Sequence, residues 1–122
     1  MEKHTLVYER IDEVANSILG RATRYDFYFA SPFFNTEQVE REERMIKHLR
    51  NNGFTVFSPK EACKLDAKAS QKSREEVFNS NCEAIRSSRA VFAVTDGKDM
   101  GTIWEAGYAY GINKPVIYFA ET

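Results

Sequence analysis

The chain has 122 residues, of which 43% are hydrophobic and 29% charged, and its formal net charge of -1 comes without a block of basic residues. These values suit one globular domain and argue against nucleic acid binding, which needs a basic stripe. The sequence shows neither a signal peptide pattern nor an apolar run long enough to span a bilayer, and Cys63 and Cys82 are spaced like no metal motif, so we expect a soluble cytoplasmic protein without metal or membrane contact.

Helical and strand patterns alternate along the chain. Runs rich in aromatic and β-branched residues predict strands at 25–30, 54–59, 90–95 and 114–120. Apolar residues at helical spacing predict helices at 5–21, 35–53, 73–88 and 102–112. The polar segment 60–72 shows neither period and is expected to be a loop. Because strands alternate with helices, we predict one domain over residues 1–122, a three-layer α/β sandwich with a small parallel sheet of the flavodoxin-like or Rossmann-like kind.

Local patterns give three finer predictions. Asn35 and Gln38 have capping-box spacing, which indicates where the second helix begins. The helix over 73–88 is expected to face inward through four residues, which are Val77, Phe78, Ile85 and either Cys82 or Asn81. The strand at 90–95 is continuously hydrophobic, which is typical of a central strand in a parallel sheet.

The carboxyl ends of the strands are where parallel sheets of this kind bind ligands. Three segments are expected to meet there, namely ASPFFN at 30–35, SPKEA at 58–62 and TDGKDMGT at 95–102. Gly97 and Gly101 would let backbone approach a ligand closely. The carboxylates of Asp96 and Asp99 would repel phosphate, and no phosphate-binding glycine motif is present.

Glu105 follows this last segment and allows two interpretations. Thr102 and Glu105 have capping-box spacing, so the glutamate could return to the backbone of its own helix. Alternatively, an ionised carboxylate at this edge of the sheet could act as a nucleophile on a carbon that is losing its leaving group. Local sequence favours the cap, whereas the position of the loop in the fold favours the nucleophile.

Three stretches of the sequence resemble one known family. The run GTIWEAGYAYGINKPV resembles the signature of the nucleoside 2-deoxyribosyltransferases. The run FYFASPFFNTEQVEREERMIKHLRNNGFTVFSP is similar to their first strand, aromatic loop, charged helix and second strand. The run NCEAIRSSRAVFAV is similar to the helix and strand that precede their catalytic loop. The resemblance covers roughly residues 25–120.

The resemblance implies transfer of 2-deoxyribose from a 2′-deoxyribonucleoside to a free nucleobase, without metal or organic cofactor. It implies that Glu105 attacks the anomeric carbon and that Tyr28 hydrogen-bonds this glutamate. Asp99 matches a residue that contacts the nucleoside, and the rings of Phe33 and Phe34 match positions beside the base. Further substrate contacts are expected at Ser31, Lys60, Gly101 and Thr102.

Two features depart from the family pattern. Asn81 stands where the family places an aspartate that protonates the leaving base, and an amide can hold a base but cannot act as a general acid. Asp99 or solvent would then supply the proton. Members of the family often continue past the last strand, and a neighbouring subunit's tail helps to close the site. Here the sequence carries an extra N-terminal helix at about 5–21, and we expect it to cover the sheet or to build a contact in a homo-oligomer.

Three other functions compete with base exchange. Water in place of the second base would make the protein a 2′-deoxyribonucleoside or nucleoside-monophosphate N-glycosidase. Met100 before Gly101 favours free nucleoside, because relatives that hydrolyse monophosphates usually carry a serine-rich phosphate pocket near this motif. Ser31, Ser87 and Ser88 nevertheless keep a nucleotide substrate open. Asn81 motivates a non-catalytic nucleoside or nucleotide sensor, and a module without any ligand completes the set.

Overall fold

The computed structural model describes residues 23–63 and 73–121. The predicted helix over 5–21 and most of the predicted loop over 60–72 lie outside these residues. The four strands of the described part are β1 (Tyr25–Ala30), β2 (Val56–Phe57), β3 (Ser88–Val94) and β4 (Val116–Phe119). The longer helices are α1 (Thr36–Asn51), α2 (Arg74–Arg86) and α3 (Met100–Gly111). Residues 59–63 are helical, so the loop predicted to begin at residue 60 is corrected there.

The four strands form one parallel sheet in the order β2-β1-β3-β4. The predicted parallel sheet is confirmed, and β3 lies between β1 and β4 as its continuous hydrophobicity indicates. This order is the flavodoxin-like one, in which the chain leaves β1 toward one edge of the sheet and later returns to build the other. The direction of winding therefore reverses between β1 and β3, and ligands of such folds bind at that point.

Side chains of the two central strands alternate between two apolar layers. The strand residues that pack with α2 and α3 are Tyr28, Ala30, Val91 and Ala93. The strand residues on the side of α1 are Phe27, Phe29, Phe92 and Val94. This alternation follows from the two-residue period of a strand, and it gives the three layers predicted from the sequence. It also puts the hydroxyl-bearing Tyr28 under the two helices that lead to the predicted site.

Small residues of α3 make its contact with the sheet close. Ala106 and Ala109 are buried against β1 and β3, with 3% and 0% of their surfaces exposed. Because alanine carries only a methyl group, the helix backbone can lie near the strands and Glu105 can reach a strand side chain. The helix begins at Met100, two residues before the predicted start, with Asp99 as its N-cap.

Glu42 of α1 is a buried carboxyl group, with 1% of its surface exposed. Its Oε1 accepts a hydrogen bond from the Ser58 hydroxyl at 3.1 Å, and its Oε2 has no hydrogen-bond partner within residues 23–63 and 73–121. Burial raises the pKa of Glu42 to about 7, against the opposing effects of the Ser58 hydrogen bond and the positive charge of Lys60. The ionised form of this side chain therefore costs folding free energy.

We predict that Glu42→Gln makes the stability of the protein less dependent on pH. The folded pKa of about 7 lies above the ordinary 4.5, so wild-type stability falls as the pH rises between these values and levels off above them. At pH 8 the variant should be more stable by up to roughly 3 kcal/mol, a difference that closes toward pH 4. Urea unfolding at several pH values measures it, with the exposed Glu40→Gln of the same helix as control. Parallel curves for Glu42→Gln and wild type would contradict the prediction.

Candidate active site

A cavity of about 460 Å³ opens at the carboxyl ends of β1 and β3. Its walls come from the loop after β1, from residues 59–63, from one face of α2 and from the first turns of α3. The volume falls within the range of small-molecule sites. The switch point of the sheet and the cavity therefore coincide, as the fold predicts.

Glu105 lines this cavity and is held from below by Tyr28. The Tyr28 hydroxyl donates a hydrogen bond to Oε2 of Glu105, joining β1 to α3 across 77 positions of sequence. Tyr28 is fully buried, and its ring stacks on Phe57 with centroids 5.5 Å apart and planes 18° apart. The tyrosine is thus fixed on both its ring and its hydroxyl, and it fixes the rotamer of the glutamate in turn.

The start of α3 excludes one of the two interpretations of Glu105, the helix cap. Oδ2 of Asp99 accepts from both the backbone N–H and the hydroxyl of Thr102, each at 2.9 Å. Asp99 is the N-cap, so Thr102 is the third helical residue and Glu105 lies in the second turn. The predicted capping box of Thr102 and Glu105 is therefore wrong, because the aspartate takes the capping position first. Glu105 is directed instead to Tyr28 and the cavity.

Burial dominates the electrostatics of this pair. It raises the pKa of Glu105 to about 7, the Tyr28 hydrogen bond opposes the rise, and the negative charge of Asp99 adds to it. Burial and the neighbouring Glu105 also raise the pKa of the Tyr28 phenol. Tyr28 therefore stays protonated and donates to the carboxylate over the whole range in which Glu105 ionises.

Two pairs of aromatic rings line the cavity. Phe33 and Phe34, from the loop after β1, have centroids 6.1 Å apart with planes 15° apart. Phe78 of α2 and Trp104 of α3 have centroids 4.9 Å apart. Phe78 was expected to face the core, but 49% of its surface is exposed. The inward stripe of α2 is thus shared between core and cavity, because only its last turns lie on the sheet.

The predicted site residues fall into three groups. Seven of them line the cavity, and they are Ser31, Phe33, Phe34, Asn81, Asp99, Gly101 and Glu105. Tyr28 lies beneath it. Thr102 lies beside Asp99 with 1% of its surface exposed, and it is not among the residues that line the cavity. The Lys60 ammonium is 2.8 Å from Glu43 on the side of α1 and also lies outside the cavity. The geometry does not support substrate contacts for these last two residues.

Sequence reasoning missed four lining residues of note, which are Cys63, Phe78, Cys82 and Trp104. Phe78 and Asn81 are three positions apart and share a helix face. Because Asn81 is a site candidate, this spacing could have indicated Phe78 as a second lining residue. Trp104 precedes Glu105 in the chain, yet the sequence of one helix does not show which residues beside Glu105 also line the cavity.

Within residues 23–63 and 73–121, no cluster of His, Cys, Asp and Glu has the arrangement of a metal site. No helix of that same part is long and apolar enough to cross a membrane.

The fold and the cavity define a small flavodoxin-like α/β domain with a partly buried carboxylate at its switch point. Residues 27–122 match the sequence model of the family described as nucleoside 2-deoxyribosyltransferase. The chain belongs to this family, a class of pentosyltransferases. No match was found among curated protein sequences.

Three solved structures illustrate the similarity. A 2-deoxyribosyltransferase from Bacillus psychrosaccharolyticus is 35% identical with a TM-score of 0.68, and the match covers 79% of this chain and 72% of that one. A 2-desoxiribosyltransferase from Leishmania mexicana is 21% identical with a TM-score of 0.62, covering 79% and 64%. A conserved protein from Enterococcus faecalis V583 is 23% identical with a TM-score of 0.68, covering 75% and 60%. The last two matches support the fold.

We predict that Tyr28→Phe raises the pKa of Glu105 further above its ordinary value. The change removes the hydrogen bond that opposes the rise, while the ring keeps the carboxyl group buried. A shift of roughly one pH unit is expected, since hydrogen bonds to charged groups contribute about 1.5–3 kcal/mol. Carbon-13 NMR of the glutamate carboxyl groups measures the titration midpoint. Tyr110→Phe, at an exposed position of the same helix, should leave it unchanged. A midpoint that is unmoved or lower in Tyr28→Phe would contradict this account of the pair.

Proposed function

We propose that the protein transfers 2-deoxyribose between nucleobases and carries the sugar in between as an ester on Glu105. One observation carries the proposal: a partly buried carboxylate faces a nucleoside-sized cavity and is held by the hydroxyl of a buried tyrosine. Covalent catalysis by a carboxylate requires an ionised group held in one rotamer beside the reacting carbon. The membership in the nucleoside 2-deoxyribosyltransferase family supports the same assignment.

In the first step, Glu105 attacks the anomeric carbon of a 2′-deoxyribonucleoside. Because Oε2 accepts from Tyr28, Oε1 is the oxygen that forms the new bond. The carbon–nitrogen bond breaks, its electron pair goes to the base, and the base leaves after taking a proton. The absence of a 2′-hydroxyl favours this step, since a 2-deoxy sugar reaches an oxocarbenium-like transition state more easily.

In the second step, a ring nitrogen of an incoming base attacks the same carbon from the opposite side. The ester bond breaks, the carboxylate of Glu105 is restored, and the new base loses a proton. Water in place of this base would release free deoxyribose. The aromatic lining, with Phe33 and Phe34 on the loop after β1, favours a flat heterocycle as the occupant at this stage.

Asn81 and Asp99 are two groups beside Glu105 that can bind the substrate's polar atoms. Asn81 lines the cavity, and its amide can donate to and accept from a base edge. One oxygen of Asp99 is used for capping, which leaves Oδ1 for the substrate. The proton for the leaving base then comes from Asp99 or from solvent, because an amide N–H is not acidic enough to be transferred to the base.

Free nucleosides are the favoured substrate class. Among the described residues that line the cavity, both charged ones, Asp99 and Glu105, are acidic. These carboxylates would repel a 5′-phosphate, and none of the lining residues in 23–63 and 73–121 is a cation that would compensate. We therefore assign the site to 2′-deoxyribonucleosides and free nucleobases rather than to nucleotides.

The direct test incubates the protein with thymidine, with and without adenine, and separates the products by chromatography. Formation of 2′-deoxyadenosine supports transfer, whereas thymine release that does not need adenine indicates hydrolysis. Thymidine monophosphate in place of thymidine should react at least tenfold more slowly. Equal or faster reaction of the monophosphate would contradict the assignment to free nucleosides.

We predict that Glu105→Gln lowers turnover at least roughly 10³-fold, because the amide cannot form the ester. The variant should keep the fold, since Gln can still accept from Tyr28. Circular dichroism and thermal melting check this point. Glu75→Gln, at an exposed position of α2, should retain full activity. Normal turnover by folded Glu105→Gln would refute the mechanism.

We further predict that Asn81→Asp accelerates release of the first base. A carboxylic acid at this position can give its proton to the departing nitrogen, and general acids contribute roughly 10²–10⁴-fold. Rapid quenching of thymine release measures the effect, with the exposed Asn79→Asp of the same helix as control. Release of the base that is unchanged or slower in Asn81→Asp would contradict the prediction and would place this residue away from the leaving base.

A further inference from the structure

Phe78 and Trp104 form an apolar wall of the cavity that sequence reasoning did not assign to substrate. Their ring centroids are 4.9 Å apart, yet 49% of Phe78 and 46% of Trp104 stay exposed. Both residues line the cavity that contains Glu105. Two large aromatic side chains thus keep open surface inside a site instead of entering the core, and burying that surface against a ligand would release ordered water.

Contacts on the side away from the cavity restrict the Trp104 side chain. Trp104 stacks on Tyr108 with centroids 5.2 Å apart and planes 8° apart. The Tyr108 hydroxyl accepts a hydrogen bond of 2.7 Å from Arg86, whose guanidinium also pairs with Glu83 at 2.8 Å. The indole therefore has little freedom to turn. A rigid aromatic surface binds a flat ligand at low cost in side-chain entropy.

Neighbouring positions of the wall suggest which part of a nucleoside it contacts. Phe78 and Asn81 lie on the same face of α2, so an apolar ring and an amide stand side by side. A nucleobase presents a flat face and a polar edge, which fit these two groups. On the proposed mechanism the sugar's anomeric carbon lies at Glu105, which lines the same cavity as Trp104. A ligand of this shape spans the cavity with its base on the wall.

We infer that Phe78 and Trp104 stack on the nucleobase and that Trp104 favours purines over pyrimidines. The inference rests on the proposed function and names the group that selects the base. Two fused rings cover more of an aromatic wall than one ring does, so a purine gains more from the contact. The same wall serves both half-reactions, because the leaving and the incoming base occupy the same side of the sugar.

Fluorescence offers a direct test, because Trp104 is the single tryptophan of the chain. We would titrate Glu105→Gln, which should bind without turnover, with 2′-deoxyadenosine, thymidine and 2-deoxyribose. Both nucleosides should quench the emission, 2′-deoxyadenosine at the lower concentration, and deoxyribose should leave it unchanged. Quenching by deoxyribose, or none by either nucleoside, would overturn the inference. An emission maximum that shifts with protein concentration but with neither nucleoside would also overturn it, because that result would assign Trp104 to a contact between copies.

Steady-state kinetics give a second, independent readout. Trp104→Leu should raise KM for 2′-deoxyadenosine about tenfold and for thymidine less, since base stacking on an aromatic residue contributes roughly 5–150-fold to binding. The kcat should change less than KM, and Trp104→Phe should recover part of the loss. Tyr110→Leu, an exposed aromatic of the same helix outside this cavity, is the matched control. An unchanged KM in folded Trp104→Leu would contradict the stacking role.

The outcomes separate this inference from the proposed function. Quenching by nucleosides in a protein that never releases a base would keep the stacking wall and refute the transferase. Base exchange with the same KM values in Trp104→Leu and wild type would keep the transferase and refute the wall.

Discussion

The hydrogen bond from Tyr28 to Glu105 is the contact around which the site is organised. It needs the alternation of β1, which turns Tyr28 toward α3, and it needs the alanines of α3, which let the helix lie close to the sheet. It also needs α3 to begin at the Asp99 cap, so that Glu105 falls one turn further along and faces the strand. Each condition is set by packing in the fold, and together they hold one carboxylate at the switch point of the sheet.

Holding a carboxylate there carries a cost in stability. Burial that raises the pKa of Glu105 to about 7 means that its ionised form is disfavoured in the folded protein. The tyrosine hydrogen bond recovers part of that cost and directs the charge into the cavity. A nucleophile that is poorly solvated and fixed in orientation is also more reactive. Stability and reactivity are therefore opposed at this residue, as is common at functional sites.

Much of the fold follows from patterns that are local in sequence. The bounds of β1 agree with its aromatic run. The alternation of strands with helices is sufficient to predict a parallel sheet in a three-layer sandwich. The site could be predicted as far as the meeting of loops at one sheet edge. Competition between nearby groups was less predictable: Asp99 displaced Thr102 as the cap, and Glu43 holds Lys60 away from the cavity. Phe78 was misassigned because helical spacing identifies an apolar face without saying whether core or cavity covers it.

The central claim is that Glu105 carries the sugar, and mass spectrometry of the protein and of its peptides tests it most directly. Wild-type protein would be mixed with thymidine in the absence of any acceptor base, quenched in acid and digested. The account predicts a mass increase of one deoxyribosyl group, found on the peptide that contains Glu105 and removed when adenine is added before the quench. Turnover without any such adduct, or an adduct on another residue that adenine discharges, would contradict it.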